Sequence, residues 1–258
     1  MKANVCNMSY LSYISTTISN RCYSFENNAW ASSPTMSSLR VYAAAAQLQD
    51  GKLLVTGGYD DFGHRQSSSE MLTEEGWESN IPPLPVTVYG HCMITVNSTT
   101  VMLIGGWQNG KLSGNSFYYS LGEENWTGGP ELMFKRGSTG CGKIRSNKVG
   151  PEMNFIVAGG WNGSSRLSSV EILNEGSNVW QTGPELPFGI WRPQIIEDQN
   201  GGVVLIGGQS SSDIYLDTLY QLPNGGQDAV WIKMEQKMRN KGWQHLAIMV
   251  PDSIVDCN

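Results

Sequence analysis

The sequence predicts an all-β fold, a propeller of four-stranded antiparallel blades, and three observations predict it. An apolar run ending in a glycine pair occurs four times: Leu53-Leu54-Val55-Thr56-Gly57-Gly58, Val101-Met102-Leu103-Ile104-Gly105-Gly106, Phe155-Ile156-Val157-Ala158-Gly159-Gly160 and Val203-Val204-Leu205-Ile206-Gly207-Gly208. A single tryptophan follows each pair, at Trp77, Trp126, Trp180 and Trp231, and Trp30 is an earlier member of the series with no glycine pair before it. The first glycines are spaced by 48, 54 and 48 residues and the tryptophans by 47, 49, 54 and 51. A period near 50 residues is that of a four-stranded propeller blade.

The third repeat shows the four strands of a blade. Strand A is expected over 138–144. Strand B, over 154–158, carries the apolar run, and four apolar residues in succession mean burial on both faces. Strand C, over 169–173, alternates, with Val170 and Ile172 on one side and Ser169 and Glu171 on the other. The turn Asn174-Glu175-Gly176-Ser177-Asn178 leads to strand D around Trp180. The hydrophilic stretch 143–152 accounts for the longer period. Links rich in proline, such as Ile81-Pro82-Pro83-Leu84-Pro85 and Gly183-Pro184-Glu185-Leu186-Pro187, carry the chain from one blade to the next, because proline cannot donate to a ladder.

Complete repeats are expected near 41–78, 88–127, 138–181 and 192–232. Residues 21–32 read as strands C and D alone, and 239–257 as strands A and B, so the two ends are expected to join in one composite blade. Closing a ring in this way removes exposed sheet edges. Residues 1–20 are left unassigned.

Composition narrows the function classes. With 40% hydrophobic and 16% charged residues, the chain is globular. A net charge of −6 argues against a nucleic-acid partner, which needs clustered Lys and Arg. No run of 18 apolar residues is present, so no membrane insertion is expected. No signal peptide is visible in residues 1–19, which favours the cytoplasm. Four Asn-X-Ser/Thr sequons, at Asn7, Asn97, Asn125 and Asn162, leave secretion open, and Asn97 in its turn is the best placed for a glycan. Five cysteines without a Cys-X-X-Cys suggest neither a zinc site nor a compact disulfide scaffold, and read as small buried hydrophobes.

The glycine-pair strand, the Ser-Val-Glu-Ile strand at 169–172 and the tryptophan at Trp180 resemble kelch repeats, over roughly residues 20–250. The resemblance implies a β-propeller acting as a protein-interaction module, without catalysis or cofactor. Many members are ubiquitin-ligase adaptors or bind actin, and those adaptors carry BTB and BACK domains ahead of the propeller; the sequence shows neither. Kelch propellers commonly have six or seven blades. About five are legible here, either a small ring or a six-bladed one lacking an N-terminal blade.

The glycine pairs (Gly57, Gly58, Gly105, Gly106, Gly159, Gly160, Gly207, Gly208) and the tryptophans (Trp30, Trp77, Trp126, Trp180, Trp231) are expected to be structural. Binding is expected on the loops between strands B and C, which vary while the strands stay alike. Tyr59, Trp107 and Trp161 leave strand B there, accompanied by Asp61, His64, Arg65, Asn109, Asn162 and Arg166. Aromatics and Arg dominate interface hot spots. His91, in a strand-A position that recurs with the repeat, is expected to be architectural. No metal ligands, serine triad or paired carboxylates stand out. The alternative reading is an extracytoplasmic propeller enzyme, either a galactose-oxidase-like metal oxidase or a sugar-acting enzyme.

Overall fold

A computed structural model describes residues 3–6, 22–26, 29–145, 153–210, 214–224, 229–239 and 241. The chain divides into two compact units, Met1–Gly129 and Pro130–Asn258. Each contains two complete repeats, and each repeat is one antiparallel sheet in the order A-B-C-D.

In the first unit the strands are Ala44–Gln47, Leu53–Thr56, Ser69–Thr73 and Gly76–Glu78, then Cys92–Thr95, Thr100–Ile104, Ser116–Ser120 and Thr127–Gly128. In the second they are Gly140–Arg145, Met153–Ala158, Val170–Leu173 and Trp180–Thr182, then Gln194–Glu197, Val203–Ile206, Thr218–Leu222 and Ile232–Lys237. The four expected repeats are all present. In the third, strand A runs one residue further than expected and strand C begins one later. Most of the stretch 143–152 lies outside the described residues. The first unit also holds a three-stranded sheet, Ala3–Cys6, Cys22–Glu26 and Ala29–Ser33. The expected pair of strands near Trp30 is therefore joined by a third, Ala3–Cys6, from the segment left unassigned. The other half of the expected composite blade lies outside the described residues, apart from 239 and 241.

Strand B is buried on both faces, as its apolar run predicts: Val101, Met102, Leu103 and Ile104 are all inaccessible to solvent. It ends at the glycine pair because the chain turns through a left-handed conformation while pressed against its neighbour. Gly57 and Gly58 have φ of 63° and 91°. A Cβ on Gly57 would collide with the Val88 carbonyl oxygen, and one on Gly58 would stand 2.6 Å from the Val41 carbonyl oxygen. The other three pairs share the positive φ.

The tryptophans fasten the links. Trp77, Trp126, Trp180 and Trp231 each donate the indole N–H to a proline carbonyl in the link preceding their own repeat: Pro34, Pro82, Pro130 and Pro184, at 2.8, 3.0, 3.2 and 2.9 Å. A buried indole N–H needs such a partner.

A second fastening alternates between repeats. In repeats 1 and 3 the link ends in a buried arginine. Arg40 bonds the Gly57 and Ser68 carbonyls, the Ser68 hydroxyl and the Glu70 carboxylate. Arg136 makes the same set with Gly159, Ser169 and Glu171, the ion pair at 2.7 Å. Each carboxylate also accepts two link N–H groups, from Ser37 and Ser38 or from Met133 and Phe134. In repeats 2 and 4 the arginine positions are Val88 and Ile190, and the glutamate positions are Phe117 and Tyr220. The residues matching Ser37 and Met133 are then Pro85 and Pro187, which have no N–H to satisfy. Gln108 replaces the arginine of repeat 2, donating to the Gly105 and Asn115 carbonyls at 3.1 and 3.0 Å.

Candidate functional site

The residue after each glycine pair is clamped at one end of its sheet. Tyr59 pairs with Val41 on one side and Arg65 on the other; Trp107 lies between Tyr89 and Leu112, and Trp161 between Gly137 and Arg166. Gln209 lies between Trp191 and Tyr215. The expected anchors therefore stand on a short three-stranded ladder rather than on a free loop.

In the first unit this places four aromatics in a row. Tyr42 meets Tyr59 edge-on at 6.4 Å, Tyr59 meets Tyr89 at 4.5 Å, and Tyr89 stacks on Trp107 at 5.3 Å with an interplanar angle of 6°. All four are half-buried. Arg65 is exposed, pairs with Tyr59 along the backbone and lays its guanidinium against Gly110, and the neighbouring phenols, Tyr59 first, raise its pKa above the ordinary value. Burial, then the neighbouring Tyr59 phenol, pushes the Tyr89 phenol up to about 12, so that hydroxyl stays neutral at physiological pH. The result is a guanidinium at the edge of an aromatic ledge.

The tip of this loop is organised by Asp60. Its Oδ1 accepts the N–H groups of Phe62 and His64 at 3.0 and 2.7 Å, and its Oδ2 accepts from Gln66 at 2.9 Å and contacts the His64 ring at 3.2 Å. Desolvation opposes the charge on Asp60, but these hydrogen bonds hold its carboxyl below the ordinary value. Asp61 and His64 reach solvent, and Phe62 is 78% exposed at the apex. Asn109 is engaged within the structure: its Oδ1 accepts from the Thr87 N–H and hydroxyl at 3.1 and 3.3 Å.

In the second unit Trp161 and Trp191 lie 6.1 Å apart. Arg192 sits 4.0 Å over the Trp191 ring and Arg166 is 6.0 Å from that of Trp161. Asn162 is exposed and braces its own loop. Sequence reasoning missed Tyr42, Tyr89, Trp191 and Arg192, which come from the segment just before strand A. Their signal was positional: Tyr89 and Trp191 occupy equivalent places, and Tyr42 and Arg192 take positive φ at another.

His91 is buried, with its Nε2 2.8 Å from the Thr56 hydroxyl, and burial pushes its pKa down to about 3. It is a neutral member of the packing between repeats 1 and 2. Among the described residues no three His, Cys, Asp or Glu side chains gather as a metal site, and no described helix is long and apolar enough to cross a membrane. At the other end of the first unit's sheets, a groove is bordered by Glu74, Glu75, Glu78, Glu123 and Glu124.

Comparison with known proteins agrees with this architecture. The kelch motif model matches residues 155–187. The chain is 24% identical over 198 residues to human (Homo sapiens) Kelch-like protein 38 and 25% identical over 199 residues to its mouse (Mus musculus) counterpart, with 72% of this chain covered in each case. It spans 31% of the length of those relatives. The solved structure of YjhT superposes with a TM-score of 0.65 and 14% identity, over 83% of this chain and 75% of that one. The four-stranded sheets are blades of a kelch-type β-propeller. The chain carries a kelch motif and is similar to kelch-repeat proteins.

Proposed function

We propose that the chain is a non-catalytic protein-binding module that engages a protein partner through its B–C loops. The observation that carries this reading is the ledge of Tyr42, Tyr59, Tyr89 and Trp107 with Arg65 beside it. Large rigid aromatics and an oriented guanidinium supply contact area at low entropic cost, and hot spots are built from such residues. Tyr59, Arg65 and Trp107 form the centre of the contact, with Asp61 and His64 at its margin and Asn109 fixing the loop. Trp161 and Arg166 form the corresponding contact of the second unit, with Asn162 bracing its loop. Family analogy supports a protein partner.

The test is the double variant Arg65→Ala/Trp107→Ala, compared with wild type in quantitative capture of partners from a native extract. The expected result is loss of about tenfold or more in affinity for a captured protein, with a melting temperature within a few degrees of wild type. Unchanged capture by the folded variant would sink the reading.

A further inference from the structure

We propose that Asn97 and Asn162 are N-glycan acceptors, and that this chain matures in an oxidising, glycosylating compartment. Two independent observations carry the proposal. One is the shape of the sequons. Asn97 is exposed in the A–B turn of repeat 2, and its Oδ1 accepts the Thr99 N–H, the Thr99 hydroxyl and the Thr100 N–H at 3.0, 3.2 and 2.9 Å. Asn162 is exposed in the B–C loop of repeat 3, and its Oδ1 accepts the Ser164 N–H, the Ser164 hydroxyl and the Ser165 N–H at 2.9, 3.0 and 2.8 Å. Backbone donors on Oδ1 fix the amide orientation and turn Nδ2 away from the loop. In each case the hydroxyl of the sequon's third residue already touches the acceptor amide.

Asn125 is the internal contrast. It is exposed too, but Trp126 is buried against Tyr119 and Thr127 is held in strand D opposite Tyr118. The hydroxyl residue of that sequon is committed to a ladder and cannot fold back on the asparagine. Exposure is common to the three sequons among the described residues; the turn is shared by two.

The other observation is redox state. Cys92 and Cys141 are disulfide-bonded. Persistent disulfides belong to oxidising compartments, where N-glycosyl transfer also takes place. In that transfer the Asn Nδ2 loses a proton and bonds to the anomeric carbon of an oligosaccharide carried on a polyisoprenoid diphosphate. The bond from that carbon to the diphosphate oxygen breaks, and the lipid diphosphate leaves.

The two positions have different consequences. Asn97 lies at the far end of strand B (Thr100–Ile104) from Trp107, about 16 Å away at the usual strand rise. Its glycan leaves the aromatic ledge bare. A glycan on Asn162 would stand beside Trp161 and withdraw Asn162 itself from direct protein contact.

The experiment uses protein purified from its native source. Free thiols are alkylated before reduction, and peptides are released with and without peptide-N-glycosidase in heavy-oxygen water. Heavy-oxygen aspartate is expected at positions 97 and 162 only after enzyme treatment, and asparagine is expected at 125. Spontaneous deamidation at Asn162-Gly163 would label without enzyme and is thereby excluded. In a secreting eukaryotic host, Asn97→Gln and Asn162→Gln should each remove one glycan's mass, and Asn125→Gln none. Unmodified Asn97 and Asn162 in native protein whose five cysteines are all alkylated before reduction would overturn the proposal.

Discussion

At Gly57 a methyl group would be driven into the Val88 carbonyl oxygen, on a backbone already at φ 63°. Gly51 has a similar φ of 72° but nothing within 4 Å of its would-be Cβ. Chemical denaturation should separate the two effects. Gly51→Ala is expected to cost about 1–2 kcal/mol from backbone strain alone, and Gly57→Ala about 3 kcal/mol or more from strain plus collision. Equal losses would mean that the pairs are not set by crowding. His91 gives a second residue-scale expectation. Burial holds the folded imidazole neutral down to about pH 3, against 6.5 for the free side chain. Below pH 6.5 the unfolded chain therefore binds a proton that the folded chain refuses, and stability falls as pH drops through this window. The slope contributed approaches about 1.4 kcal/mol per pH unit. Between pH 6.5 and 5, above most carboxylate titrations, His91→Gln should flatten the pH dependence of the unfolding free energy.

The element that holds most information is the link between blades. In repeat 3 it offers Met133 and Phe134 N–H groups to Glu171, Arg136 to the strand ends and the Pro130 carbonyl to Trp180. Removing one partner of a buried ion pair leaves the other charge unmet, so Glu171→Ala is expected to cost about 3–5 kcal/mol. Repeat 4 shows a complete apolar solution to the same problem. The triple variant Met133→Pro/Arg136→Ile/Glu171→Tyr transplants it, and equilibrium unfolding should find it more stable than Glu171→Ala. A triple variant less stable than the single would mean that the alternation has another cause. Trp180→Phe should cost about 2–3 kcal/mol, through a lost hydrogen bond and a cavity; the half-exposed Trp77→Phe should cost less. Glu70 and Glu171 take equivalent strand-C positions, opposite Val55 and Val157, but nothing local in the sequence marked their partners. Arg40 and Arg136 lie in links whose counterparts carry Val88 and Ile190, so no four-fold pattern marks them. The covariation of Arg with Glu, and of Pro with their absence, was the available signal.

Across the molecule, the four repeats were readable because burial on both faces of strand B leaves little freedom in sequence, and because the glycine pair admits no substitute. The candidate surface was readable only in part. Tyr59, Arg65 and Trp107 do come together, since consecutive B–C loops lie side by side within the first unit. Tyr42 and Tyr89, which complete the ledge, were hidden because contact between sequence-distant segments leaves no local period. Asn109 is exposed, as a surface polar residue should be, and also closes a hydrogen-bonded loop on Thr87.

Every fastening of the third repeat joins its own link to its own strands, and the tip at residues 162–165 takes no part in any of them. Duplicated copies of such a chain can therefore diverge in two independent compartments of inheritance. Changes in the tips alter what is recognised, one substitution at a time, with no compensating change owed elsewhere. Changes in the fastenings must arrive in sets, as the exchange of an arginine, a glutamate and an N–H for two apolar side chains and a proline already has.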